Sequence, residues 1–344
     1  MSDIQPPSRR LSYAIAAAVV VLVVAVVIVS VRSNSAGVAD PSGVASLPAP
    51  TGPETVTVVA VGDIACDPAS SGFNDGVGST VSCGQLATSD LALALDPDAA
   101  LLLGDIQYEC GGYEAFLESF DPSWGRLKAI THPVPGNHEY VATGTTGTGT
   151  DCSSLPDAAG YYRYFGAAAG DPAQGWYSLD IGAWHVIALN SNCAKVGGCG
   201  KNSPQGKWLA SDLAADESRC SLAFWHFPRF SSGHHGNTEA LSAIWELLDD
   251  AGVDVVLAGH DHDYERFAPL DAAQQPRPDG ITSFVVGTGG KSLRPFEVEE
   301  AGSEIRVADT FGVLSLALGE DSFGWQFLPA SGETALDEGT GACQ

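Results

Sequence analysis

Short, unbroken apolar runs recur along this chain, with helix-like segments between them. The runs TVTVVAVGD (55–63), AALLLGD (99–105) and VDVVLAGHDHD (253–263) contain consecutive branched apolar residues, without the alternation of a half-exposed strand. Such strands are buried on both faces, so helices must cover the sheet that they form. The segments QLATSDLALAL (85–95) and TEALSAIWELLDD (238–250) are typical of those covering helices. The pattern predicts an α/β fold.

The later part of the chain has a different pattern, because strand-like runs follow one another without helices. They are ITSFVVGTGG (281–290), GVLSLAL (312–318) and FGWQFLP (323–329). Consecutive strands of this kind pair antiparallel, so we expect mixed sheets rather than purely parallel ones. Apolar residues make up 44% of the chain, which is enough for a sizeable core.

An uncharged apolar segment of 21 residues, Leu11 to Val31, precedes this body. A helix of about 20 residues spans a bilayer, and Arg9 and Arg10 in front of it predict a cytoplasmic N-terminus over residues 1–10. We interpret residues 11–31 as a transmembrane signal-anchor. The alternative is a cleaved signal peptide, although its apolar core is usually only about 7–15 residues. Either way the body is exported, at the outer face of the cell membrane or as a secreted protein.

Residues 32–54 are rich in Ser, Gly, Ala and Pro and contain almost no large apolar side chain. They cannot bury enough surface to fold alone, so we interpret them as a flexible linker to a catalytic domain over residues 55–344. Eight cysteines without a CxxC pair, in an exported chain, indicate four disulfides rather than a thiolate metal site. Cys193 and Cys199 bracket a short Gly-rich loop and are candidates for a local bridge.

The formal net charge is −26, from 16 basic and 42 acidic residues. Nucleic-acid binding depends on Lys and Arg side chains that neutralise phosphates, so the composition argues against that function.

Five apolar runs each end in polar side chains that can bind a metal. They deliver Asp63, Asp105, Asn137, His226, and His260 with His262. A Gly-Asp pair after one strand is usually a turn or a helix cap, but such residues after five buried strands would each cost desolvation free energy unless something pairs with them. Ligands bind beyond the carboxyl ends of strands in open α/β sheets, so two cations could pair with all of these side chains.

The donor types restrict the metal. Carboxylate, amide and imidazole donors without thiolates favour Fe, Mn or Zn. Tyr108 lies three residues after Asp105 and adds a phenol, which as a phenolate favours a hard ion such as Fe(III).

Taken in order, these motifs resemble those of the calcineurin-like metallophosphoesterase superfamily. They are Gly62-Asp63, Gly104-Asp105, Gly136-Asn137-His138-Glu139, His226 and Gly259-His260-Asp261-His262. Tyr108 and the run Tyr264-Glu265-Arg266 resemble the purple acid phosphatases within that superfamily. The resemblance covers about residues 56–290. It implies a four-layer α/β/β/α sandwich, in which two mixed sheets are flanked by helices.

The resemblance also implies a dinuclear-metal phosphoric ester hydrolase in which metal-bound hydroxide attacks phosphorus. Fe(III) would be held by Asp63, Asp105, Tyr108 and His262. A divalent Fe, Zn or Mn would be held by Asp105, Asn137, His226 and His260. His138 would face the phosphate as an acid or an electrostatic stabiliser. The family's further histidine would be His235, with His234 as the alternative.

Three functions stay open at this level. The preferred one is an acid-phosphatase-like phosphomonoesterase, and a phosphodiesterase on the same centre is the second. A non-catalytic exported surface protein that kept the fold is the third. Arg229, Arg266 and Lys291 are the basic residues that we place nearest the motifs, and in so acidic a chain we expect each to form a salt bridge. His185 and His132 are expected to be structural.

Overall fold

Two β-sheets form the centre of the protein in a computed structural model that describes residues 55–146, 151–332 and 334–344. In chain order the strands are β1 (Val56–Val61), β2 (Ala99–Leu103), β3 (Thr131–Val134), β4 (Tyr177–Ile181), β5 (Trp184–Ala188), β6 (Cys220–Phe224), β7 (Val255–Ala258), β8 (Tyr264–Phe267), β9 (Thr282–Val286), β10 (Ser303–Val307), β11 (Gly312–Leu318), β12 (Ser322–Pro329) and β13 (Asp337–Ala342).

Helical segments connect these strands. They are α1 (Gln85–Ala94), α2 (Tyr113–Ala115), α3 (Ala159–Phe165), α4 (Pro204–Ala215) and α5 (Ser242–Asp250). Short 3-10 helices occur at Asn74–Gly76, Trp124–Ile130, His138–Tyr140, Cys152–Ser154, Pro156–Ala158, Gly166–Ala169 and Glu239–Leu241, and a π-helical turn at Phe116–Phe120. The start of α4 follows from local sequence, because the Ser203 hydroxyl accepts a hydrogen bond from the Gly206 main-chain N–H at 3.0 Å and Pro204 needs no N–H partner.

Both sheets are mixed: the parallel strands form one side of the first sheet and the centre of the second. The first has the order β13-β12-β11-β1-β2-β3, in which β1, β2 and β3 are parallel. The second has the order β10-β8-β9-β7-β6-β5-β4, in which β5, β6, β7 and β9 are parallel. The prediction of an α/β fold with two mixed sheets and helices is confirmed.

Buried aromatic side chains pack between the two sheets. The Tyr264 ring of β8 stacks on Phe327 of β12 with centroids 4.0 Å apart, and the indole of Trp184 donates to the Gly319 carbonyl at 2.7 Å. A separate apolar cluster includes Leu209 of α4 and Trp245 of α5, which pack against buried residues of the second sheet. Helices α4 and α5 therefore cover that sheet on the side away from the first.

All eight cysteines are paired, which confirms the prediction of four disulfides. The bridges are Cys66–Cys83, Cys110–Cys152, Cys193–Cys199 and Cys220–Cys343. The local Cys193–Cys199 bridge closes the Gly-rich loop that the sequence singles out. Cys220–Cys343 connects the start of β6 to the residue after β13 and so ties the second sheet to the first.

None of the helices in the described part of the chain combines the length and the apolar character needed to cross a membrane. The predicted cytoplasmic N-terminus (1–10), signal-anchor (11–31) and linker (32–54) lie outside the described residues.

Candidate metal centre

The parallel strands of both sheets deliver the predicted ligands at their carboxyl ends. Asp63 and Asp105 each lie two residues beyond their strands, β1 and β2, with φ angles of +59° and +48°. His260 lies two residues beyond β7 with φ +72°. A non-glycine residue in this left-handed region costs roughly 1–3 kcal/mol, and such strain is concentrated at functional sites. These turns bring Asp63 and His260 together, since the Asp63 Oδ2 accepts the His260 main-chain N–H at 2.7 Å.

One group of four potential metal-binding atoms consists of the Tyr108 hydroxyl oxygen and three atoms around it. Its oxygen lies 2.9 Å from Asp63 Oδ1, 3.1 Å from Asp105 Oδ2 and 3.2 Å from His262 Nε2. A phenol has one proton and can satisfy only one of these acceptors. The other ring nitrogen of His262 contacts the Ser292 hydroxyl at 2.7 Å, which fixes the orientation of the imidazole.

A second group of four potential metal-binding atoms consists of the Nε2 of His226 and three atoms around it. This nitrogen lies 3.3 Å from Asp105 Oδ1, 3.0 Å from Asn137 Oδ1 and 3.2 Å from His260 Nδ1. The Nδ1 of His226 donates to the Leu103 carbonyl at 2.8 Å, so Nε2 is the ring nitrogen that faces the other three atoms. One proton on Nε2 would serve one neighbour, whereas a cation would serve all four donors.

The two groups fit a pair of metal ions. Each offers four oxygen or nitrogen donors, and Asp105 gives Oδ2 to the first group and Oδ1 to the second. A carboxylate divided in this way can bridge two cations. Ligand atoms of Asp105, His226 and His260 lie within 4.8 Å of one another. The structure thus brings together all seven residues that the sequence nominates as ligands.

Electrostatics in the centre follow from burial of this cluster. Burial raises the pKa of Asp105, but the charges of His226 and His138 outweigh it and hold that pKa well below its usual range. Burial and the charge of His226 lower the pKa of His260 to about 2, so its ring is neutral, which is the form that binds metals. Burial and the two aspartates raise the pKa of Tyr108 well above 10, so only a strongly charged cation would convert it to a phenolate.

Two residues of the GNHE motif shape the main chain here. The buried Glu139 carboxylate accepts main-chain N–H groups of Asp105, Ile106 and Gly136 at 2.7–3.0 Å. A side chain at Gly136 is excluded, because its Cβ would lie 2.1 Å from the Oδ1 of Asp105. The sequence includes both residues in a motif but does not reveal these roles, most of which depend on contacts between residues more than 30 positions apart.

His138 lies beside the first donor group. Its main-chain N–H donates to Asp105 Oδ1 at 2.8 Å, and its ring lies 4.2 Å from that of Tyr108. The Nδ1 contacts the Glu109 carbonyl at 2.7 Å, so Nδ1 donates and Nε2 is the remaining functional nitrogen.

The two candidate histidines of the SSGHHG segment occupy different positions. The His235 ring stacks on His260 at 4.1 Å, and its main-chain N–H donates to Asp261 at 2.7 Å. His234 is half-exposed, and its Nδ1 contacts a Glu297 carboxylate oxygen at 2.6 Å. His235 therefore contacts the candidate metal centre, whereas His234 contacts His235 and is exposed to solvent.

The three basic residues that the sequence places near the motifs all form the expected salt bridges. Arg229 pairs with Glu239, Lys291 with Glu109, and Arg266 with both Asp337 and Glu304. Arg294 is a fourth basic residue near the centre, which the sequence does not indicate. Its Nη1 lies 2.8 Å from the Nε2 of His235.

Two mixed sheets with oxygen and nitrogen donors at the carboxyl ends of their strands define an α/β protein with a candidate metal centre. The sequence model described as calcineurin-like phosphoesterase matches residues 56–264, and the chain belongs to that family.

Known proteins similar to the chain include purple acid phosphatases, which confirms the resemblance to that subgroup. Purple acid phosphatase 15 of Arabidopsis thaliana is 29% identical over 224 residues, covering 56% of this chain and 40% of the relative. Purple acid phosphatase 1 of Ipomoea batatas is 35% identical over 191 residues, covering 49% and 36%. The chain thus spans less than half the length of these curated relatives.

Solved structures agree on the fold. A purple acid phosphatase from yellow lupin (Lupinus luteus) seeds superimposes with a TM-score of 0.67 at 20% identity, covering 86% of this chain and 55% of that one. A dimetal phosphatase from Danio rerio superimposes with a TM-score of 0.53 at 15% identity, covering 84% and 99%.

Proposed function

We propose that this protein is a dinuclear-metal phosphatase that hydrolyses phosphate monoesters. The observation that carries the proposal is the division of the Asp105 carboxylate between two groups of four donors. Two bound cations would supply a water of lowered pKa and would neutralise charge on the transferred phosphoryl group.

The residues of the chain have distinct parts in this proposal. Asp63, Tyr108 and His262 would hold the first ion with Asp105, and Asn137, His226 and His260 would hold the second with it. His138 would stabilise the phosphate and protonate the leaving oxygen through Nε2, because its Nδ1 already donates to the Glu109 carbonyl. His235, stacked on His260, borders the other side of the cluster.

The first ion is proposed to be Fe(III) and the second a divalent Fe, Zn or Mn. The support is the donor chemistry: the first group contains a phenol and two carboxylates, which suit a hard trivalent ion. The second group has two imidazoles, one amide oxygen and one carboxylate oxygen, which suit a divalent ion of the first transition row.

Export and anchoring complete the proposal. Leu11–Val31 would hold the protein in the cell membrane with the catalytic domain outside, and the four disulfides are consistent with an oxidising compartment. Recovery of the full chain in the membrane fraction tests the anchor, and recovery only in the medium would contradict it.

The finer four-layer order of the fold is also part of the proposal. It is supported by α4 and α5, which pack on the second sheet, and by α1, which packs against β11 of the first.

The function is tested by metal analysis together with an ester panel. We expect about two metal ions per chain and turnover of p-nitrophenyl phosphate faster than that of bis(p-nitrophenyl) phosphate. Faster turnover of the diester would favour a phosphodiesterase. A metal-loaded protein that hydrolyses neither ester would instead support a non-catalytic surface protein.

A further inference from the structure

A loop that follows β9 carries two basic side chains next to the candidate metal centre. The loop, residues 290–294, is fixed by main-chain hydrogen bonds to two predicted ligand residues. The Lys291 N–H donates to the Asp63 carbonyl at 2.9 Å, and the Arg294 N–H donates to the His262 carbonyl at 3.0 Å. These hydrogen bonds fix the main chain of the loop beside the candidate metal centre.

The two basic residues of the loop are in different electrostatic states. Lys291 forms an ion pair with Glu109 and lies 4.3 Å above the ring of Tyr108, so its charge is already balanced. Within the described ranges, no carboxylate lies in ion-pair distance of the Arg294 guanidinium, and only His235 accepts from it. An unpaired guanidinium is unexpected in a chain with a formal net charge of −26.

His235 accounts for the position of this guanidinium. An arginine has only donors, so the Nε2 of His235, 2.8 Å from Nη1, must accept the hydrogen bond. The ring of His235 stacks on His260, and the His235 main-chain N–H donates to Asp261. The remaining N–H groups of Arg294 donate to no residue of the described part of the chain. They are available to bind an oxyanion, as guanidinium groups commonly bind phosphate.

We propose that Arg294 is a specificity-determining residue, which binds the phosphate group of a dianionic monoester and is positioned by His235. The inference rests on the phosphatase activity proposed above. A phosphomonoester has three unesterified oxygens and two negative charges, whereas a diester has two such oxygens and one charge. A cationic fork added to a metal centre therefore favours the monoester and also the product, inorganic phosphate.

The test compares Arg294→Gln and Arg294→Lys in the metal-loaded full chain. Arg219→Gln is the matched control, because Arg219 immediately precedes β6 and so lies at the end of that strand opposite His226. For each variant, kcat and KM are measured with p-nitrophenyl phosphate and with bis(p-nitrophenyl) phosphate, together with the Ki of inorganic phosphate.

For Arg294→Gln we expect KM for the monoester and Ki for phosphate to rise roughly 10- to 100-fold, as for the loss of charge-assisted hydrogen bonds. We expect kcat, and KM for the diester, to change less than about 3-fold, which is small on the same energy scale. Arg294→Lys should retain part of the monoester affinity, and Arg219→Gln should match the wild type. Equal losses with both esters, or an unchanged Ki, would overturn the proposal.

Calorimetric titration with inorganic phosphate separates this inference from the proposed activity. If the wild type hydrolyses neither ester, the phosphatase proposal fails, but the binding measurement still applies. Weaker phosphate binding by Arg294→Gln than by the wild type supports the role of Arg294, and equal binding contradicts it.

Discussion

At the scale of single residues, short motifs indicate which side chains meet but not what holds them. Asp63, Asp105 and His260 follow apolar runs, so the rule that ligands bind at strand ends predicts them. The supporting contacts do not appear in any local pattern. Ser292 orients His262 across 30 positions, and Glu139 accepts from the Asp105 main chain across 34. Such pairs depend on how strands stack in space.

The Tyr108 hydroxyl is predicted to give the oxidised, iron-loaded protein its visible colour. Replacement of Tyr108 by Phe removes one donor of the first group and leaves a ring of nearly the same volume. If Fe(III) binds there, the visible charge-transfer band of the oxidised wild type should disappear in Tyr108→Phe. Absorption spectra at matched iron content, determined by elemental analysis, provide the measurement. An identical band in the variant would refute the phenolate assignment.

At the scale of elements, most central strands are predictable from the sequence, whereas three of the four edge strands are not. The runs that become β1, β2, β7 and β11 are buried on both faces, so they read as unbroken apolar sequence. Strand β13, DEGTGA, has no such pattern and forms by pairing with β12. Gly339 is required there, because a Cβ would lie 2.3 Å from the Trp325 ring. Strands β4 and β10, also at edges, are missed for the same reason.

The contact between α4 and the second sheet should depend on pH. His185 of β5 lies 2.9 Å from Asp212 of α4 and 3.3 Å from Asp180 of β4. Burial lowers the pKa of His185, but hydrogen bonds with Asp212 and Asp180 outweigh it, and the pKa is raised above 6.5. The protonated His185 therefore stabilises the fold fully below about pH 6.5. This stabilisation is lost as pH rises through the higher pKa that His185 has in the folded state.

His185→Gln should lower the free energy of unfolding by about 1.5–3 kcal/mol at acidic pH, as for a hydrogen bond to a charged group. The difference from the wild type should shrink as pH increases. Urea unfolding of both proteins at several pH values between 5 and 9, with the disulfides intact, measures it. If the difference in unfolding free energy between the two proteins does not vary with pH, protonation of His185 does not contribute to stability.

At the scale of the whole molecule, each sheet contributes a different chemistry to the centre. The first sheet supplies the acidic and amide oxygens of Asp63, Asp105 and Asn137, from the ends of β1, β2 and β3. The second supplies the imidazoles of His226 and His260, beyond β6 and β7. Neither sheet alone contains a complete donor set, so the centre exists only when both sheets are assembled.

Metal removal should therefore destabilise the whole fold. An ion present at 100 times its dissociation constant stabilises the native state by about 2.7 kcal/mol, which corresponds to roughly 5–10 °C in Tm. Calorimetry before and after chelation should detect that decrease. Asp105→Asn, which damages both donor groups, should respond to the chelator much less than the wild type. Equal Tm values with and without metal would contradict the expectation.

The division of donors between the sheets has one more consequence. Any ion held by Asp105 together with His260 would link the two stacked sheets, which are otherwise joined by apolar packing, by polar contacts such as Arg266–Asp337, and by one disulfide, Cys220–Cys343. That bridge is located at the start of β6, whereas the ions would be located past its end. The two sheets would then be joined near both ends of β6, and sliding of one sheet over the other would be suppressed.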